Sequence, residues 1–365
     1  MAHPFLIDKM IPISKPIIGE EEERLVIEVL KSGHLAQGQK VEEFEKKFAD
    51  YIGVKYAIAT NSGTSALHTA LLANGIGQND EVITTAFTFI ASVNSIAYCR
   101  AKPVFADIEE GTFNIDASLI ESKITNKTKA IMPVHLYGNP CNMDAIKDIA
   151  DKNNLLIIED ACQAHGASYN GKKVGSFGTG CFSFYPSKNI TTGEGGIITT
   201  DNANAAEKCR LLRNHGSKVR YYHELIGYNY RMTDLAAAIG IAQLKKLDSF
   251  NKKRKENADY LTKSLSKIPW IITPKIKNGC VHAFHQYTIR IVGKKRDDVA
   301  KFLEQKGIQA SVYYPVPATL QKIYENIKVK LPVSEKLAKE VLSIPVHPAL
   351  SKEDLNHIIS AFEEL

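Results

Sequence analysis

Leu155-Leu-Ile-Ile-Glu-Asp160-Ala-Cys-Gln-Ala-His-Gly-Ala167 is the stretch that decides the fold class. The apolar run 155–158 is typical of a strand buried on both faces, as in a parallel sheet, and an acidic pair follows it. Ligands of open α/β sheets bind outside the carboxyl ends of the strands, so Asp160 is a candidate cofactor ligand. A carboxylate at this place can keep a pyridine nitrogen protonated, which turns the ring into an electron sink. The alternative is that Asp160 only caps the next helix.

A lysine follows 28 residues later, in Phe182-Ser-Phe-Tyr-Pro-Ser-Lys188-Asn-Ile-Thr-Thr-Gly-Glu-Gly-Gly196. It lies between an aromatic run and a glycine-rich turn. A partly desolvated lysine loses basicity, and its free amine can attack a carbonyl to form a Schiff base. The alternative for Lys188 is an ordinary solvated surface charge. Its position after the strand that ends near Asp160 favours the catalytic interpretation.

A third segment, Asn61-Ser-Gly63-Thr64, joins a predicted strand at 56–60 to a predicted helix at 65–73. Backbone N–H groups at a helix N-terminus, with a glycine that allows close approach, can bind an anion such as a phosphate. The segment lacks the Gly-Lys-Ser/Thr ending of a P-loop. Serine and threonine also cap helices that bind no ligand, so plain capping is the alternative.

Composition limits the class of protein. The chain has 365 residues, of which 44% are hydrophobic and 24% charged, and its net charge is +6. These values are ordinary for a globular protein with a large core, and the positive charge is too small and dispersed to indicate nucleic-acid binding. No apolar run reaches membrane-spanning length and no signal peptide is recognisable, so we expect a cytoplasmic protein without a membrane partner. The six cysteines form no C-x-x-C pair, and His282 and His285 lack further ligands, so no metal site is expected.

Strand-like and helix-like segments alternate through residue 216, which predicts a mainly parallel central sheet flanked by helices. Seven strands are predicted, at 56–60, 81–85, 102–105, 129–133, 155–159, 181–185 and 196–200. Long helices are predicted over 234–267. A strand at 284–292 and helices near 297–306 and 351–364 then indicate a smaller α+β unit. We therefore expect a large domain with an N-terminal arm at 1–250 and a small C-terminal domain at 251–365.

The chain resembles the DegT family of pyridoxal-phosphate-dependent sugar-nucleotide aminotransferases, which belong to fold-type I, the aspartate aminotransferase superfamily. The resemblance covers nearly the whole chain and runs through many motifs in the same order. They lie at Pro16, Gly33–Gly38, Asn61–Leu67, Gly77–Ile83, Phe87–Phe89, Pro133–Gly138, Glu159–Ala161, Phe182–Gly196, Gly227–Asp234 and Ser343–Pro348. The resemblance implies an α/β fold whose large domain holds a mainly parallel seven-stranded sheet, with a smaller α+β domain after it.

The resemblance also implies roles for single residues. Lys188 matches the Schiff-base lysine, Asp160 the partner of the pyridine nitrogen, and Gln163 the residue that hydrogen-bonds the ring hydroxyl. Phe89 matches the aromatic side chain over the pyridine face, although core packing is its alternative. Three residues match phosphate contacts: Gly63, Thr64 and Ser183.

Further matches concern assembly and substrate. Asn229 matches a residue that reaches the phosphate from the neighbouring subunit, which implies a homodimer with shared active sites. His34, Arg231 and Tyr313 are candidate substrate contacts. An intersubunit or surface ion pair is the alternative for Arg231.

The implied reaction moves an amino group from L-glutamate to the keto group of a nucleotide-linked deoxysugar by a ping-pong mechanism, within deoxyaminosugar and polysaccharide biosynthesis. Related dehydratases carry histidine where this chain has Lys188, so transamination is favoured over deoxygenation. The segment Gly227–Thr233 is more similar to enzymes that aminate C4 than to those acting at C3, which leaves C3 amination as the alternative. The segment Pro317-Ala-Thr departs from the Pro-Leu-His of many relatives, so sugar contacts cannot be transferred there. A cofactor-binding regulatory protein without turnover is disfavoured, because the N-terminus has no room for a helix-turn-helix module.

Overall fold

The structure of the protein is a computed structural model that describes residues 10–365. The first nine residues of the predicted N-terminal arm lie outside the described part. The strands are β1 (Tyr56–Thr60), β2 (Glu81–Thr85), β3 (Lys102–Ala106), β4 (Thr128–Ile131), β5 (Leu156–Asp160), β6 (Ser168–Tyr169), β7 (Lys172–Lys173), β8 (Thr179–Ser183), β9 (Gly196–Thr200), β10 (Ser217–Val219), β11 (Tyr222–His223), β12 (Ile271–Ile272), β13 (Cys280–Val281), β14 (Tyr287–Ile291) and β15 (Val341–Ile344). The α-helices are α1 (Glu20–Ser32), α2 (Gln39–Ile52), α3 (Gly63–Ala73), α4 (Ile90–Tyr98), α5 (Met143–Lys152), α6 (Ala203–Arg213), α7 (Asp234–Leu265), α8 (Arg296–Gln305), α9 (Pro332–Glu340) and α10 (Lys352–Glu363).

The seven predicted strands form one sheet in the order β1-β9-β8-β5-β4-β2-β3. Neighbours from β8 through β3 pair in parallel, whereas β9 is antiparallel to both β1 and β8. Each strand lies within two residues of its predicted position. The prediction of a mainly parallel seven-stranded sheet is therefore confirmed. Because β1 runs in the same direction as β8, the carboxyl ends of β1, β2, β5 and β8 meet at one edge.

Helices cover both faces of this sheet. On one face α2 and α7 contribute to a core in which Phe44 and Phe48 pack edge-on against Phe184. On the other face α3 packs Leu67 and Leu71 against the sheet. The fully buried strands explain why β2 and β9 show apolar or threonine runs rather than an alternating pattern.

The C-terminal part contains the antiparallel sheet β12-β14-β15. Its core combines Tyr287 and Ile289 of β14 with Phe362 of α10 and Leu261 of α7. The structure replaces the predicted group of long helices at 234–267 with one continuous helix, α7. That helix passes through residue 250, so the predicted boundary between the domains falls inside it, and the two-domain division stays a prediction.

Within residues 10–365, no helix combines the length and the apolar character needed to cross a membrane. In the same range, no three or more histidine, cysteine, aspartate or glutamate side chains are grouped so that they could hold a metal ion.

Candidate active site

Asp160 ends β5 at the edge where the carboxyl ends of the strands meet. Its carboxylate accepts a hydrogen bond of 2.6 Å from Ser92 Oγ and one of 3.2 Å from the Cys162 backbone N–H. Residues 161–167 form turns rather than an α-helix. The alternative that Asp160 caps the next helix is therefore wrong.

The neighbouring carboxylate, that of Glu159, has a different environment. It is fully buried and accepts hydrogen bonds from the backbone N–H groups of Gly175, Phe177 and Gly178 at 2.8–3.1 Å. His135 Nε2 lies 3.1 Å from the same carboxylate. Glu159 thus holds the turn before β8, and Asp160 is the member of the acidic pair that faces the candidate site.

Lys188 lies in the loop that follows β8, where its backbone N–H donates to the Tyr185 carbonyl at 2.9 Å. Its side chain is partly buried. Burial lowers the pKa of Lys188, while the nearby Cys162 thiol and Asp160 carboxylate oppose that shift. Among the described residues, its amine has no hydrogen bond or ion pair. A solvated surface lysine is not buried and keeps its ordinary pKa, so this alternative is disfavoured.

The segment predicted to bind phosphate opens α3. Ser62 caps this helix, because its hydroxyl accepts from the Ser65 N–H at 3.1 Å. A Cβ atom on Gly63 would lie 2.6 Å from Ser183 Cβ and 3.1 Å from Cys162 Sγ. Only glycine therefore fits between α3 and the end of β8. The close approach brings Gly63 beside Ser183, and Thr64 follows Gly63 in the first turn of α3, as expected for parts of one anion site.

Gln163 is buried and fixed from two sides. Its Oε1 accepts from the Tyr137 backbone N–H at 2.7 Å, and its Nε2 donates to the Tyr314 hydroxyl at 3.1 Å. The ring of Tyr314 lies 6.0 Å from that of Phe89. Phe89 is 53% exposed, which excludes the alternative that it is a core residue. An exposed aromatic ring at the start of α4 is free to pack on a ligand.

Two residues of this site had no signal in the sequence. Ser92, which donates to Asp160, is 68 positions away from it in the chain. Tyr314 lies 151 positions from Gln163, and the sequence analysis named only its neighbour Tyr313, as a candidate substrate contact. The Tyr313 carbonyl accepts a hydrogen bond from the Tyr137 hydroxyl. Only the folded chain brings these side chains together.

Three further candidates lie at the margin of this group or outside it: Asn229, Arg231 and His34. Asn229 is exposed, and its carbonyl accepts from Asn61 Nδ2 at 3.5 Å. Arg231 donates to Asn214 Oδ1 at 2.9 Å and lines a groove of about 560 Å³, while the exposed His34 lines a second groove of about 640 Å³. In residues 10–365, none of these three side chains is hydrogen-bonded or ion-paired to Lys188 or Asp160. Within one chain, Asn229 and Arg231 therefore lie beside Asn61, at the start of the predicted phosphate segment, and do not bond the two candidate catalytic residues.

The residues that do meet fit pyridoxal phosphate. The narrow space at Gly63 suits close approach of a phosphate to a helix N-terminus, and the carboxylate of Asp160 suits a protonated ring nitrogen. The lowered pKa of Lys188 suits an amine that forms a Schiff base.

Comparison with known proteins agrees with this geometry. Residues 16–363 match the model of the DegT/DnrJ/EryC1/StrS aminotransferase family. The chain is 45% identical to a pleiotropic regulatory protein of Geobacillus stearothermophilus, with 93% of each chain covered. It is 42% identical to a GDP-perosamine synthase of Caulobacter vibrioides, over 97% of this chain and 98% of the relative. Identity is also 42% to a dTDP-3-amino-3,6-dideoxy-alpha-D-galactopyranose transaminase of Aneurinibacillus thermoaerophilus, with 94% of each covered.

Solved structures give the same result. DesV of S. venezuelae superposes with a TM-score of 0.92 at 38% identity, covering 94% of each chain. The sugar aminotransferase Spr1654 of Streptococcus pneumoniae in its PLP form gives a TM-score of 0.92 at 30% identity, covering 97% of this chain and 98% of the other. The chain therefore belongs to the DegT/DnrJ/EryC1/StrS aminotransferase family and is a pyridoxal-phosphate-dependent sugar aminotransferase.

Proposed function

We propose that this enzyme transfers the amino group of L-glutamate to the C4 keto group of a nucleotide-linked keto-deoxysugar, in two half-reactions that share one site. The observation that carries the proposal is the partly buried Lys188 amine, without a partner among the described residues and close to the hydrogen-bonded carboxylate of Asp160. When bound, pyridoxal phosphate supplies an electron sink for the carbanion that forms at the donor carbon.

In this proposal each residue has a defined task. Asp160 holds the proton on the ring nitrogen, and Ser92 holds Asp160 through the 2.6 Å hydrogen bond. The α3 N-terminus with Ser183 binds the phosphate, and Gln163 binds the ring hydroxyl. Phe89 covers one face of the ring.

Lys188 has two tasks in this proposal. It would hold the cofactor through a Schiff base, and its free Nζ would act as the base and acid that moves the proton of the donor's α-carbon. Burial keeps the pKa of this amine below its ordinary value, which favours the neutral form that accepts a proton. Asn229 of the opposite subunit completes the phosphate site in a homodimer.

The sugar position is argued from similarity. The Gly227–Thr233 segment favours C4, and the similarity to a GDP-perosamine synthase supports a nucleotide-linked sugar. C3 amination is the second candidate, because a relative of equal identity is named for a 3-amino sugar. Another relative is named a pleiotropic regulatory protein, yet the amine of Lys188 beside Asp160 supports turnover in this chain.

We also propose that the enzyme works in the cytoplasm, since all six cysteines are free thiols, as in a reducing compartment.

A two-stage experiment tests the proposal. L-glutamate is added to the holoenzyme, and the visible absorbance of the lysine-bound cofactor should disappear while 2-oxoglutarate forms. The aminated enzyme is then mixed with nucleotide-linked 4-keto and 3-keto sugars, and the product is analysed by NMR. Return of the absorbance with the 4-keto sugar alone is expected. Return with the 3-keto sugar alone would establish the second candidate, and no response to any amino donor would refute turnover.

A further inference from the structure

Asn251, near the middle of α7, lies between the two loops that carry the candidate catalytic residues. Its Nδ2 donates to the His165 carbonyl at 2.8 Å, in the loop that begins at Asp160. Its Oδ1 accepts from Asn189 Nδ2 at 2.7 Å, and Asn189 directly follows Lys188. The side-chain amide of Asn251 therefore bridges the two loops, and we call its hydrogen bond to each loop one arm of the bridge.

The arm toward Lys188 is rigid. Asn189 is buried, and its Nδ2 also donates to the Ala283 carbonyl at 2.8 Å. Because the carbonyl of residue 283 can only accept, the amide of Asn189 must present its nitrogen to that side. Asn251 must then present its oxygen to Asn189 and its nitrogen to the carbonyl of residue 165. The direction of every hydrogen bond in the bridge is thus fixed.

The arm toward Asp160 has no room to move. Gly166 has a φ of +77°, and a Cβ atom there would lie 2.7 Å from Asn251 Nδ2 and 2.5 Å from the Tyr51 hydroxyl. The loop therefore packs closely against Tyr51 of α2 and Asn251 of α7, and a side chain at position 166 would displace one of these two side chains or the loop itself.

The same helix also holds the far end of the lysine loop. Gln243 lies eight positions before Asn251, and its Oε1 accepts from the Thr191 N–H at 3.3 Å. Two amides of α7 thus hold the loop directly after Lys188, but only Asn251 also reaches the loop after Asp160.

We propose that Asn251 is a positioning residue that sets the placement of Lys188 relative to Asp160 and Gln163. This inference rests on the proposed roles of Lys188 and Asp160. Proton transfer by Lys188 requires its amine to reach one atom of the bound cofactor while Asp160 holds another. A displacement of about 1 Å in such a site can lower the rate on the order of a hundredfold. The bridge acts on the separation of the two loops and touches no reacting group.

The test compares Asn251→Leu with Asn257→Leu in the holoenzyme. Asn257 is a matched control, since it is a buried asparagine of the same helix that donates to two carbonyls, those of Val346 and His347 at 3.4 and 3.1 Å. Three properties are measured. They are the thermal melting of the cofactor-free proteins, the pH titration of the visible absorbance of the lysine-bound cofactor, and kcat and KM for the glutamate half-reaction. Both variants should melt below wild type. Only Asn251→Leu should shift the midpoint of the absorbance titration and lower kcat about a hundredfold with KM within about threefold.

If Asn251→Leu matches Asn257→Leu in the titration and in kcat, Asn251 is only structural and the inference is overturned. If Asn251→Leu does not fold, the inference is tested with Asn189→Ala and Asn251→Asp. Asn189→Ala keeps only the hydrogen bond to the His165 carbonyl, and Asn251→Asp keeps only the one from Asn189. Both should then shift the titration and lower kcat, and wild-type values in both would overturn the inference. Wild-type enzyme that does not respond to glutamate would instead contradict the proposed function, so the two failures are distinguishable.

Discussion

At the scale of single residues, the site depends on a difference between two adjacent carboxylates, those of Glu159 and Asp160, in their hydrogen-bond donors. The Glu159 carboxylate is occupied by three backbone N–H groups and lies 3.1 Å from His135, so it cannot bind a ligand. The Asp160 carboxylate has one hydroxyl donor and one backbone donor, which leaves acceptor capacity for a ring N–H.

Replacing Asp160 by asparagine should remove the charge that keeps the ring nitrogen protonated while keeping the bond from Ser92. We expect kcat to fall roughly 10²–10³-fold, which corresponds to about 3–4 kcal/mol of barrier. Steady-state kinetics with the melting temperature as control test this. A variant within about threefold of wild type would contradict the assigned role of Asp160.

Replacing Lys188 by alanine should abolish transamination and the visible absorbance of lysine-bound cofactor, because no other amine is assigned to this task. The proposed phosphate contacts at Thr64 and Ser183 are unchanged in this variant, so it should still bind cofactor without a covalent bond. Absorbance spectra and turnover assays check both outcomes. The exposed Lys208→Ala is the control and should behave as wild type. Near-normal turnover of Lys188→Ala would exclude the assignment.

At the scale of elements, the sequence predicted what depends on local pattern. The apolar run before Asp160 predicted β5, and the Asn61–Thr64 segment between a strand and a helix predicted the start of α3. The sequence could not predict that Ser92 of α4 would donate to Asp160, or that Gln163 would donate to the Tyr314 hydroxyl. These contacts depend on how distant elements pack, which residue spacing does not reveal.

The tight junction between α3 and β8 leads to a prediction for Gly63→Ala. The added methyl group would lie 2.6 Å from Ser183 Cβ and must displace the end of β8. Such overpacking costs about 1–3 kcal/mol. Because the phosphate site needs the undisplaced junction in our proposal, we expect this cost in the binding free energy, and the cofactor dissociation constant should rise roughly 5- to 150-fold. Spectroscopic titration of the apoprotein with pyridoxal phosphate measures this. Gly77→Ala, where nothing lies within 4 Å of the new atom, is the control. Equal affinities would show that the junction does not shape the phosphate site.

At the scale of the whole molecule, burial of histidines makes stability depend on pH. Burial, with a smaller effect of nearby Lys188, lowers the pKa of His165 to about 3, and burial lowers that of His282 to about 3. Both ring nitrogens of His165 are buried without a hydrogen-bond partner among the described residues. A histidine whose folded pKa is depressed contributes stability that is present above its unfolded pKa of about 6.5 and is lost as the pH falls below it.

We therefore expect the free energy of unfolding to decrease between pH 7 and pH 5. Each such histidine should contribute about 2 kcal/mol to that decrease. Replacement by leucine removes one titrating group, so the decrease should be smaller by about that amount in His165→Leu. Urea unfolding at the two pH values measures it. An unchanged decrease would mean that His165 is not held neutral in the folded protein.

The proposed homodimer with shared active sites leads to a prediction about a mixture of two inactive variants. Lys188→Ala and Asn229→Ala should each be inactive. A mixture of the two with subunit exchange should recover activity, because each heterodimer has both substitutions in one active site and leaves the other site intact. With free exchange, about a quarter of the sites would be intact. Assays of the mixture, with exchange verified by mass spectrometry of tagged chains, test this. An inactive mixture would place both residues in the same chain's site.

The pairing of β1 has a consequence for the growing chain on the ribosome. Its only partner in the described sheet, β9, is made about 140 residues later. At a synthesis rate of about 5–20 residues per second, both edges of β1 therefore stay unpaired for on the order of ten seconds after β1 is made. β9 then completes the sheet by entering between β1 and β8, and it brings the residues that follow Lys188 into place in the same step. The cofactor site is therefore among the last parts of the large sheet to form during synthesis, and a nascent chain stalled before Gly196 exposes strand edges that chaperones can bind.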